Sequence, residues 1–190
     1  MFEVRFHGRG GQGVVTAAEL LSLAAFVDGA YSQAFPSFGS ERTGAPVVSF
    51  CRIDDHQIRT REPVLTPDAV VIQDHTLLHQ VDVFGGLRDD GYALLNSSRE
   101  LDHLGLGEWV AKRHSGRVMT LDATRLAREH TGGTRANAVL LGGLAALTGI
   151  VSLQSVKEAI AQRLPATFAS SNSAAAAAGF AAVEQEARVA

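Results

Sequence analysis

The stretch that most constrains the fold is residues 6–16, Phe-His-Gly-Arg-Gly-Gly-Gln-Gly-Val-Val-Thr, which places four glycines and an arginine between two apolar segments. Before it, Phe2, Val4 and Phe6 alternate with polar residues, and this period of two predicts a strand. After it, residues 14–27 are almost wholly apolar and rich in Leu and Ala, which favours a buried helix. The sequence therefore predicts a glycine-rich turn between a strand and a helix.

Such a turn is a candidate binding site for an anion. Glycines can adopt positive φ and let a ligand approach the backbone closely, and the free N–H groups at the start of the following helix favour negative charge. We expect this turn to face a phosphate-bearing group or the acidic edge of a partner. The predicted cofactor-binding residues are Gly8, Arg9, Gly10, Gly11, Gln12 and Gly13.

The glycine spacing also satisfies the dinucleotide fingerprint, Gly8-x-Gly10-x-x-Gly13. The full fingerprint has an acidic residue about 20 positions further on, at the end of a second strand. Residues 31–39 contain no carboxylate, and Asp28 comes too early. NAD is therefore not predicted as a cofactor of this chain. Two alternatives stay open: an autonomous nucleotide-binding module, and glycines that serve only a tight turn and close helix packing.

Length and composition favour a single domain spanning residues 1–190. The net charge of −3 provides no basic surface for nucleic acid, and no apolar run reaches the ~20 residues needed to span a bilayer. The single cysteine, Cys51, suits a reducing compartment and cannot ligate an iron–sulfur cluster by itself. We therefore expect a cytoplasmic protein without nucleic-acid or membrane partners.

Residues 30–46 show neither a helical nor a strand period and contain two prolines, two glycines and three aromatic residues. A long irregular segment in a compact domain is typically a binding or lid segment, and exposed phenylalanines there require a cover. We predict that it is a subunit interface. The predicted contact residues are Phe35, Pro36, Phe38, Gly39, Ser40, Glu41 and Arg42.

The rest of the chain predicts an α/β fold. Residues 47–53 and 56–60 are predicted to form an antiparallel extension, and apolar runs at 69–73, 92–96 and 117–121 predict parallel strands. A helix beginning at Asp74 is predicted between the first two of these strands. After the last strand, helices are predicted around 126–129 and in the ranges 136–147, 152–163 and 172–188. The predicted fold is a Rossmann-like, mostly parallel sheet flanked by helices, with a short antiparallel extension and extra carboxyl-terminal helices.

Three blocks of the sequence resemble the gamma subunit, or gamma-type domain, of the 2-oxoacid:acceptor (pyruvate/ketoisovalerate:ferredoxin) oxidoreductases. They are residues 9–21, Arg-Gly-Gly-Gln-Gly-Val-Val-Thr-Ala-Ala-Glu-Leu-Leu; residues 34–47, Ala-Phe-Pro-Ser-Phe-Gly-Ser-Glu-Arg-Thr-Gly-Ala-Pro-Val; and residues 137–143, Asn-Ala-Val-Leu-Leu-Gly-Gly. Where the family usually has a second basic residue after Glu-Arg, this sequence has Thr43. The resemblance covers nearly the whole chain.

The resemblance implies a non-cluster subunit of a complex that oxidatively decarboxylates a 2-oxo acid such as pyruvate to an acyl-CoA. It implies catalytic alpha and beta subunits and a ferredoxin-like delta subunit as partners. Thiamine diphosphate, Mg, iron–sulfur clusters and coenzyme A would act in the complex, and none of them would be bound by this chain alone. The implied role of this chain is to support the thiamine diphosphate and coenzyme A site and the assembly of the subunits.

Overall fold

A computed structural model of the chain describes residues 1–37 and 43–188. The strands, in chain order, are β1 (Phe2–Arg9), β2 (Tyr31–Pro36), β3 (Pro46–Asp54), β4 (Ala69–Ile72), β5 (Tyr92–Asn96) and β6 (Val118–Leu121). They form a six-stranded sheet in the order β2-β3-β1-β4-β5-β6. Strands β1, β4, β5 and β6 are parallel, whereas β3 is antiparallel to both β1 and β2. The predicted α/β fold with a mostly parallel sheet and an antiparallel extension is confirmed.

The helices cover the two faces of the sheet unequally. They are α1 (Val14–Val27), α2 (Gly107–Val110), α3 (Ala123–Thr131), α4 (Asn137–Thr148), α5 (Leu153–Arg163) and α6 (Ala166–Ala187), with short 3₁₀ turns at His75–His79 and Asp102–Leu104. The larger core contains α1 and α3–α6 packed on one sheet face, and the smaller core contains the 3₁₀ turns, α2 and their connecting segments on the other. Within the described ranges, no helix combines the length and apolar character needed to cross a bilayer.

Three of the predicted elements are wrong in detail. Residues 31–36 form strand β2 at the sheet edge, where they pair with β3, so most of the predicted irregular segment before residue 37 is regular. The predicted strand at 56–60 is absent, because β3 already pairs on one side with β1 and on the other with β2. The helix predicted from Asp74 is only the 3₁₀ turn His75–His79.

The start of α5 is held to the end of α1 by a carboxylate. Asp28 accepts hydrogen bonds from the Ser152 backbone N–H at 2.7 Å and from the hydroxyls of Ser152 and Ser155. Ser152 in turn accepts the Ser155 N–H at 3.0 Å and so caps the first turn of α5. Burial alone would raise the pKa of Asp28, but these hydrogen bonds lower it overall, because they stabilise the charged form.

A buried pair of polar side chains lies on the other face of β1. Arg5 is 8% exposed, and its Nε donates to His7 Nε2 at 2.9 Å. Since Nε2 accepts this bond, His7 is neutral and carries its proton on Nδ1. Burial, and secondly the charge of Arg5, lowers the pKa of His7 to about 3.

This neutral histidine predicts a dependence of stability on pH. Between pH 6.5 and 3 the unfolded chain binds a proton at His7 that the folded chain does not, so the free energy of unfolding falls as pH falls below 6.5. From pH 7 to 5 the loss should be about 2 kcal/mol. Urea titrations at the two pH values should show this loss for the native chain and a smaller one for His7→Gln, whose amide oxygen can still accept from Arg5.

His130→Gln is the control for this comparison, because it removes an exposed imidazole at the end of α3. It should keep the native pH profile. A His7→Gln chain with the same loss of stability as the native chain would show that His7 is not the titrating group.

Candidate functional site

The glycine-rich turn lies at the carboxyl end of β1 and forms one wall of a groove. The groove has a volume of about 890 Å³ and also receives residues from the α3–α4 connection and from the start of α6. Its lining includes Arg9, Gly10, Gly11, Gly13, Val14, Val15, Thr16, Thr43, Val47, Thr131, Gly133, Thr134, Arg135, Asn137, Leu164, Pro165, Phe168 and Asn172. Of the predicted cofactor-binding residues, four line the groove, and Gly8 and Gln12 lie behind it.

Two of the glycines are required by the local geometry. A Cβ at Gly8 would lie 2.5 Å from Val14 Cγ2, so only glycine lets β1 pass this close to the start of α1. Gly13 has φ of 78°, and a Cβ there would lie 2.8 Å from Asn137 Nδ2. Glycine at these positions therefore brings the starts of α1 and α4 together.

Arg9 is engaged within the fold. Its guanidinium donates to Asp74 Oδ2 at 3.0 Å, Gly44 O at 3.1 Å, Thr76 Oγ1 at 2.7 Å and Gln80 Oε1 at 3.1 Å. Gln12 reinforces this network, since its Oε1 accepts the Arg9 backbone N–H and its Nε2 donates to Asp74. These contacts use most of the guanidinium donors of Arg9, which the sequence analysis expected to bind a ligand. The main role of Arg9 is therefore to hold the glycine-rich turn in place.

The carboxylate of Asp74, beside the glycine-rich turn, is also hydrogen-bonded within the fold. Asp74 accepts hydrogen bonds from Arg9, Gln12 and both the backbone N–H and the hydroxyl of Thr76. Burial would raise the pKa of Asp74, but these hydrogen bonds and the Arg9 charge lower it overall. The Asp74 side chain thus stays ionised. Its oxygens accept hydrogen bonds from the residues of the turn and its neighbours, and not from a ribose hydroxyl.

The segment that begins at Thr43 is hydrogen-bonded to the glycine-rich turn. Gly10 donates its N–H to Ala45 O at 2.9 Å, and Gly44 donates to Gly10 O at 3.2 Å. Thr43 also forms a parallel bridge with Gly10. The second sequence block, residues 34–47, and the first, residues 9–21, therefore meet at the groove.

The groove is electrostatically suited to an anion. The amino-terminal ends of α1, α4 and α6 all border it, and their unpaired N–H groups carry partial positive charge. Arg135 adds formal positive charge, whereas the charge of Arg9 is paired with Asp74, and no carboxylate occurs among the described lining residues. Sequence reasoning missed Arg135, because the loop at 131–135 has no periodic pattern that would place it near the glycine turn.

Two of the predicted interface residues, Phe35 and Pro36, do not line the groove. Phe35 and Pro36 belong to the edge strand β2, and Phe38, Gly39, Ser40, Glu41 and Arg42 lie outside the described residues. The Phe35 ring is partly buried, with its centroid 5.2 Å from that of Phe50 and the Arg52 guanidinium 5.1 Å from it. Phe35 therefore already packs against the sheet.

The chain's one cysteine is not placed to ligate an iron–sulfur cluster. Cys51 is fully buried in a strand, and burial raises the pKa of its thiol, so it is a protonated apolar side chain. Asp54, Asp55 and His56 place ligand atoms within 4.8 Å of one another, but Asp54 pairs with the amino terminus and His56 with Asp55 at the protein surface. The groove offers no carboxylate among its described residues for Mg.

Comparison with known proteins identifies the family. The model of the family described as pyruvate ferredoxin/flavodoxin oxidoreductase matches residues 3–182. The chain belongs to this family. Its resemblance to the gamma-type subunits, indicated by the three sequence blocks, is confirmed, and such subunits are parts of oxidoreductase complexes.

Individual relatives cover most of the chain. The pyruvate synthase subunit PorC of Methanosarcina barkeri is 51% identical over 160 residues, which are 84% of this chain and 85% of that protein. The pyruvate/ketoisovalerate oxidoreductases common subunit gamma of Thermococcus kodakarensis is 45% identical over 176 residues, 93% of this chain and 94% of that protein. The crystal structure of the pyruvate oxidoreductase subunit PORC from Thermotoga maritima superposes with a TM-score of 0.78 at 35% identity, covering 95% of each chain.

The topology also separates this family from autonomous dinucleotide-binding modules. In such modules, a second parallel strand beside β1 ends in the acidic residue that holds the ribose. Here the strand beside β1 on the side of α1 is the antiparallel β3, and β2 is displaced to the sheet edge. The fingerprint-like glycines consequently lack the strand end that would complete a dinucleotide site.

Proposed function

We propose that this chain is the gamma subunit of a complex that oxidatively decarboxylates a 2-oxo acid to an acyl-CoA and passes the electrons to ferredoxin or a similar acceptor. Catalytic alpha and beta subunits and a ferredoxin-like delta subunit are the proposed partners. Membership of the family and the names of the PorC and gamma relatives support this assignment. The proposal assigns thiamine diphosphate, Mg and the iron–sulfur clusters to the partners, and the burial of the single cysteine, Cys51, supports this assignment for the clusters.

Within that complex, we assign to the groove the binding of coenzyme A. The observation that carries this proposal is the meeting of three helix amino termini and the Arg135 side chain in a groove whose described lining has no carboxylate. Coenzyme A is the anionic substrate of the proposed reaction, and its thiol accepts the acyl group. The chain's own residues would bind and orient its phosphates through Gly10, Gly11 and Gly13 and the first turn of α1.

A negative charge placed in the first turn of α1 tests this assignment. Thr16 lines the groove at the third helical position, where a carboxylate favours the helix dipole. Thr16→Glu should therefore fold normally while repelling a bound phosphate. In the reconstituted complex, we expect the apparent KM for coenzyme A to rise at least about tenfold, because like charges about 4 Å apart repel by roughly 1–4 kcal/mol at a solvated surface.

Thr16→Gln is the matched control, since it has the same size without the charge. It should change the KM far less. An unaltered KM for Thr16→Glu in a fully assembled complex would exclude the groove as the coenzyme A site.

We further propose that the segment from Phe35 to Arg42 docks on the catalytic subunits. It continues from the edge strand β2, which carries no charged side chain and begins at Tyr31, 54% exposed. Uncharged edge strands with exposed aromatic residues favour association. Phe35 is a poor probe, because its loss would also remove packing against Phe50.

Phe38→Ala is the better probe of docking. It should weaken assembly about thirtyfold, the effect of losing an interface anchor worth ~2 kcal/mol, and should leave the unfolding midpoint of the isolated chain unchanged. Leu65→Ala, at a 75% exposed position, is the control for removing a large apolar side chain. Assembly of Phe38→Ala with native affinity, measured by interferometry against the partner subunits, would remove this segment from the interface.

A further inference from the structure

Strand β2 forms an open edge of the sheet, far along the strand order from the groove. It is the last strand and pairs only with β3 among residues 1–37 and 43–188. None of its residues is charged, and Tyr31 is 54% exposed. Natural edge strands usually carry charges, bulges or prolines that prevent pairing with another chain, and the one such device in β2 is Pro36, at its last position. The rest of this edge is suited to pairing with a further strand.

The backbone groups on the open side of β2 belong to Ser32 and Ala34. The Ser37 N–H donates to Val48 O at 2.9 Å, and in an antiparallel ladder the bonded positions recur at every second residue. The odd-numbered residues of β2 therefore bond to β3, and the even-numbered residues direct their N–H and C=O groups away from it. Pro36 fits this alternation, because its missing N–H falls on the open side.

Helix α1 runs beside this edge and places a stripe of residues along it. The stripe consists of Glu19, Ser22, Leu23 and Phe26, which line a shallow hollow of about 390 Å³ together with Ser32 and Ala34 of β2. Spacings of three, four and seven residues put these side chains on one face of the helix. Phe26 is 69% exposed, and Ser32 Oγ donates to Ser22 O at 2.6 Å, which fixes the helix against the strand.

We propose that β2 and this stripe of α1 bind a second copy of the same chain about a two-fold axis. With the axis at Gln33, the two β2 strands run antiparallel, and Ser32 of each copy lies opposite Ala34 of the other. Every outward N–H and C=O group of these two residues then finds a partner in the other copy. The strand brings no charged side chain to the axis, so the pairing creates no like-charge repulsion there.

The position of α1 favours a second copy over an isolated strand from another protein. Helix α1 packs mainly over β2 and β3. In a sheet that continues across the axis, the two α1 helices would lie two strand spacings apart, or roughly 10 Å. Packed helices are separated by about 8–10 Å, so the two stripes would face each other and fill both hollows. A strand without such a helix would leave the hollow open.

Gln33 gives independent support for the position of the axis. Its Oε1 is buried and accepts no hydrogen bond from the residues that the structure describes. In the proposed pairing, the two Gln33 side chains form a directly opposed pair with Cβ atoms about 4.5–5.5 Å apart. Each amide can then donate to the Oε1 of the other, which satisfies an acceptor that is costly to leave unpaired.

The first test measures self-association and amide exchange of the full-length chain. Sedimentation equilibrium should show a dimer that dissociates on dilution. Hydrogen exchange followed by NMR should show that the N–H groups of Ser32 and Ala34 are protected in the dimer and exchange freely in the monomer. The N–H groups of Gln33 and Phe35 should be protected in both, because they bond to β3.

Two variants test the strand and the helix separately. Ala34→Pro removes an outward N–H and keeps the ladder with β3, so the dimer dissociation constant should rise at least about tenfold. Phe26→Glu adds a carboxylate to a stripe that already contains Glu19 and should weaken the dimer to a similar extent. Leu65→Glu places the same charge at a 75% exposed apolar position outside the hollow and should dimerise as the native chain does.

Three results would overturn the inference: a chain that stays monomeric at all concentrations, a dimer in which Ser32 and Ala34 still exchange freely, and a dimer that Phe26→Glu and Leu65→Glu weaken equally. Protection of Ser32 and Ala34 only after the partner subunits are added would mean that a strand of a partner pairs with β2, and would exclude the second copy. Phe38→Ala should not alter self-association. The interface is therefore separable from the proposed docking segment, and its failure would leave the proposed function of the groove unchanged.

Discussion

Replacing Gly142 by alanine should destabilise the chain by at least ~3 kcal/mol. A Cβ at this position in α4 would lie 1.9 Å from Ala176 O in α6, and this atom belongs to the backbone, so no side-chain rotation can relieve the overlap. The clash is reciprocal, since a Cβ at Gly179 in α6 would lie 2.1 Å from Val139 O in α4. The two helices must move apart and open the larger core, which outweighs the ~1 kcal/mol that alanine gains over glycine within a helix.

The neighbouring Gly143 provides a matched control on the same helix. A Cβ there would lie 3.0 Å from Leu94 Cδ2 and 3.1 Å from Leu121 Cδ2, and these are ends of side chains that can shift by a few tenths of an ångström. Gly143→Ala should therefore change stability by less than about 1 kcal/mol. In calorimetric scans, Gly142→Ala should melt roughly 6–12 °C below the native chain. Equal melting midpoints for the two variants would mean that α4 and α6 can shift relative to each other without loss of stability.

This crossing explains the third sequence block in physical terms. Residues 137–143 were assigned to a buried helix from their apolar character, but the sequence alone does not reveal which element approaches Gly142. The partner is the Ala-rich α6, whose small side chains allow the close approach. The Ala-rich sequence of α6 predicts a helix from propensity alone. Its role as a packing surface depends on contacts with α4, which lies 34 or more positions away in the chain.

Non-local pairing also accounts for the strand errors. Residues 31–36 end in proline and alternate only weakly, and β2 becomes a strand because β3 pairs with it along its length. The same pairing leaves residues 56–60 without a strand to join. Local patterns were sufficient for β1, whose apolar residues alternate, and for α1 and the parallel strands, whose continuous apolar runs differ in length and composition as helices and buried strands do.

The residues of the candidate site also fall into a group that the sequence predicts and a group that it does not. The glycine-rich turn could be recognised because its residues are contiguous and their spacing carries geometric meaning. Arg135, Phe168 and Asn172 reach the groove only through the packing of α4 against α1 and of α6 against α4. The role of Arg9 could not be predicted for the same reason, since its acceptors lie at Gly44, Asp74, Thr76 and Gln80.

Replacing Arg5 by leucine should also cost at least ~3 kcal/mol. The buried Arg5 Nη2 donates to Val83 O at 3.1 Å and Gly85 O at 2.6 Å, while Nε donates to His7. Leucine fills much of the volume but donates nothing, so two carbonyls and an imidazole nitrogen lose their donors at about 1–3 kcal/mol each when buried. Removing the buried charge of Arg5 offsets part of this loss of stability, so we expect a net loss near the lower end of the summed values.

The geometry around Arg5 indicates where the damage should appear. A Cβ at Gly86 would lie 2.0 Å from Leu65 O. The turn after Val83 therefore packs closely against the segment around Leu65, on the same face of the sheet as Arg5. Arg5 fastens the same turn to β1, and its loss should open that face before the helical face. Hydrogen exchange should therefore rise first at residues 62–66 and 83–87 in Arg5→Leu, while exposed Arg61→Leu should leave exchange unchanged. Arg5→Lys keeps the charge but not the fork of donors, so it should resemble leucine. Native stability in Arg5→Leu would mean that water replaces the guanidinium at these carbonyls without cost.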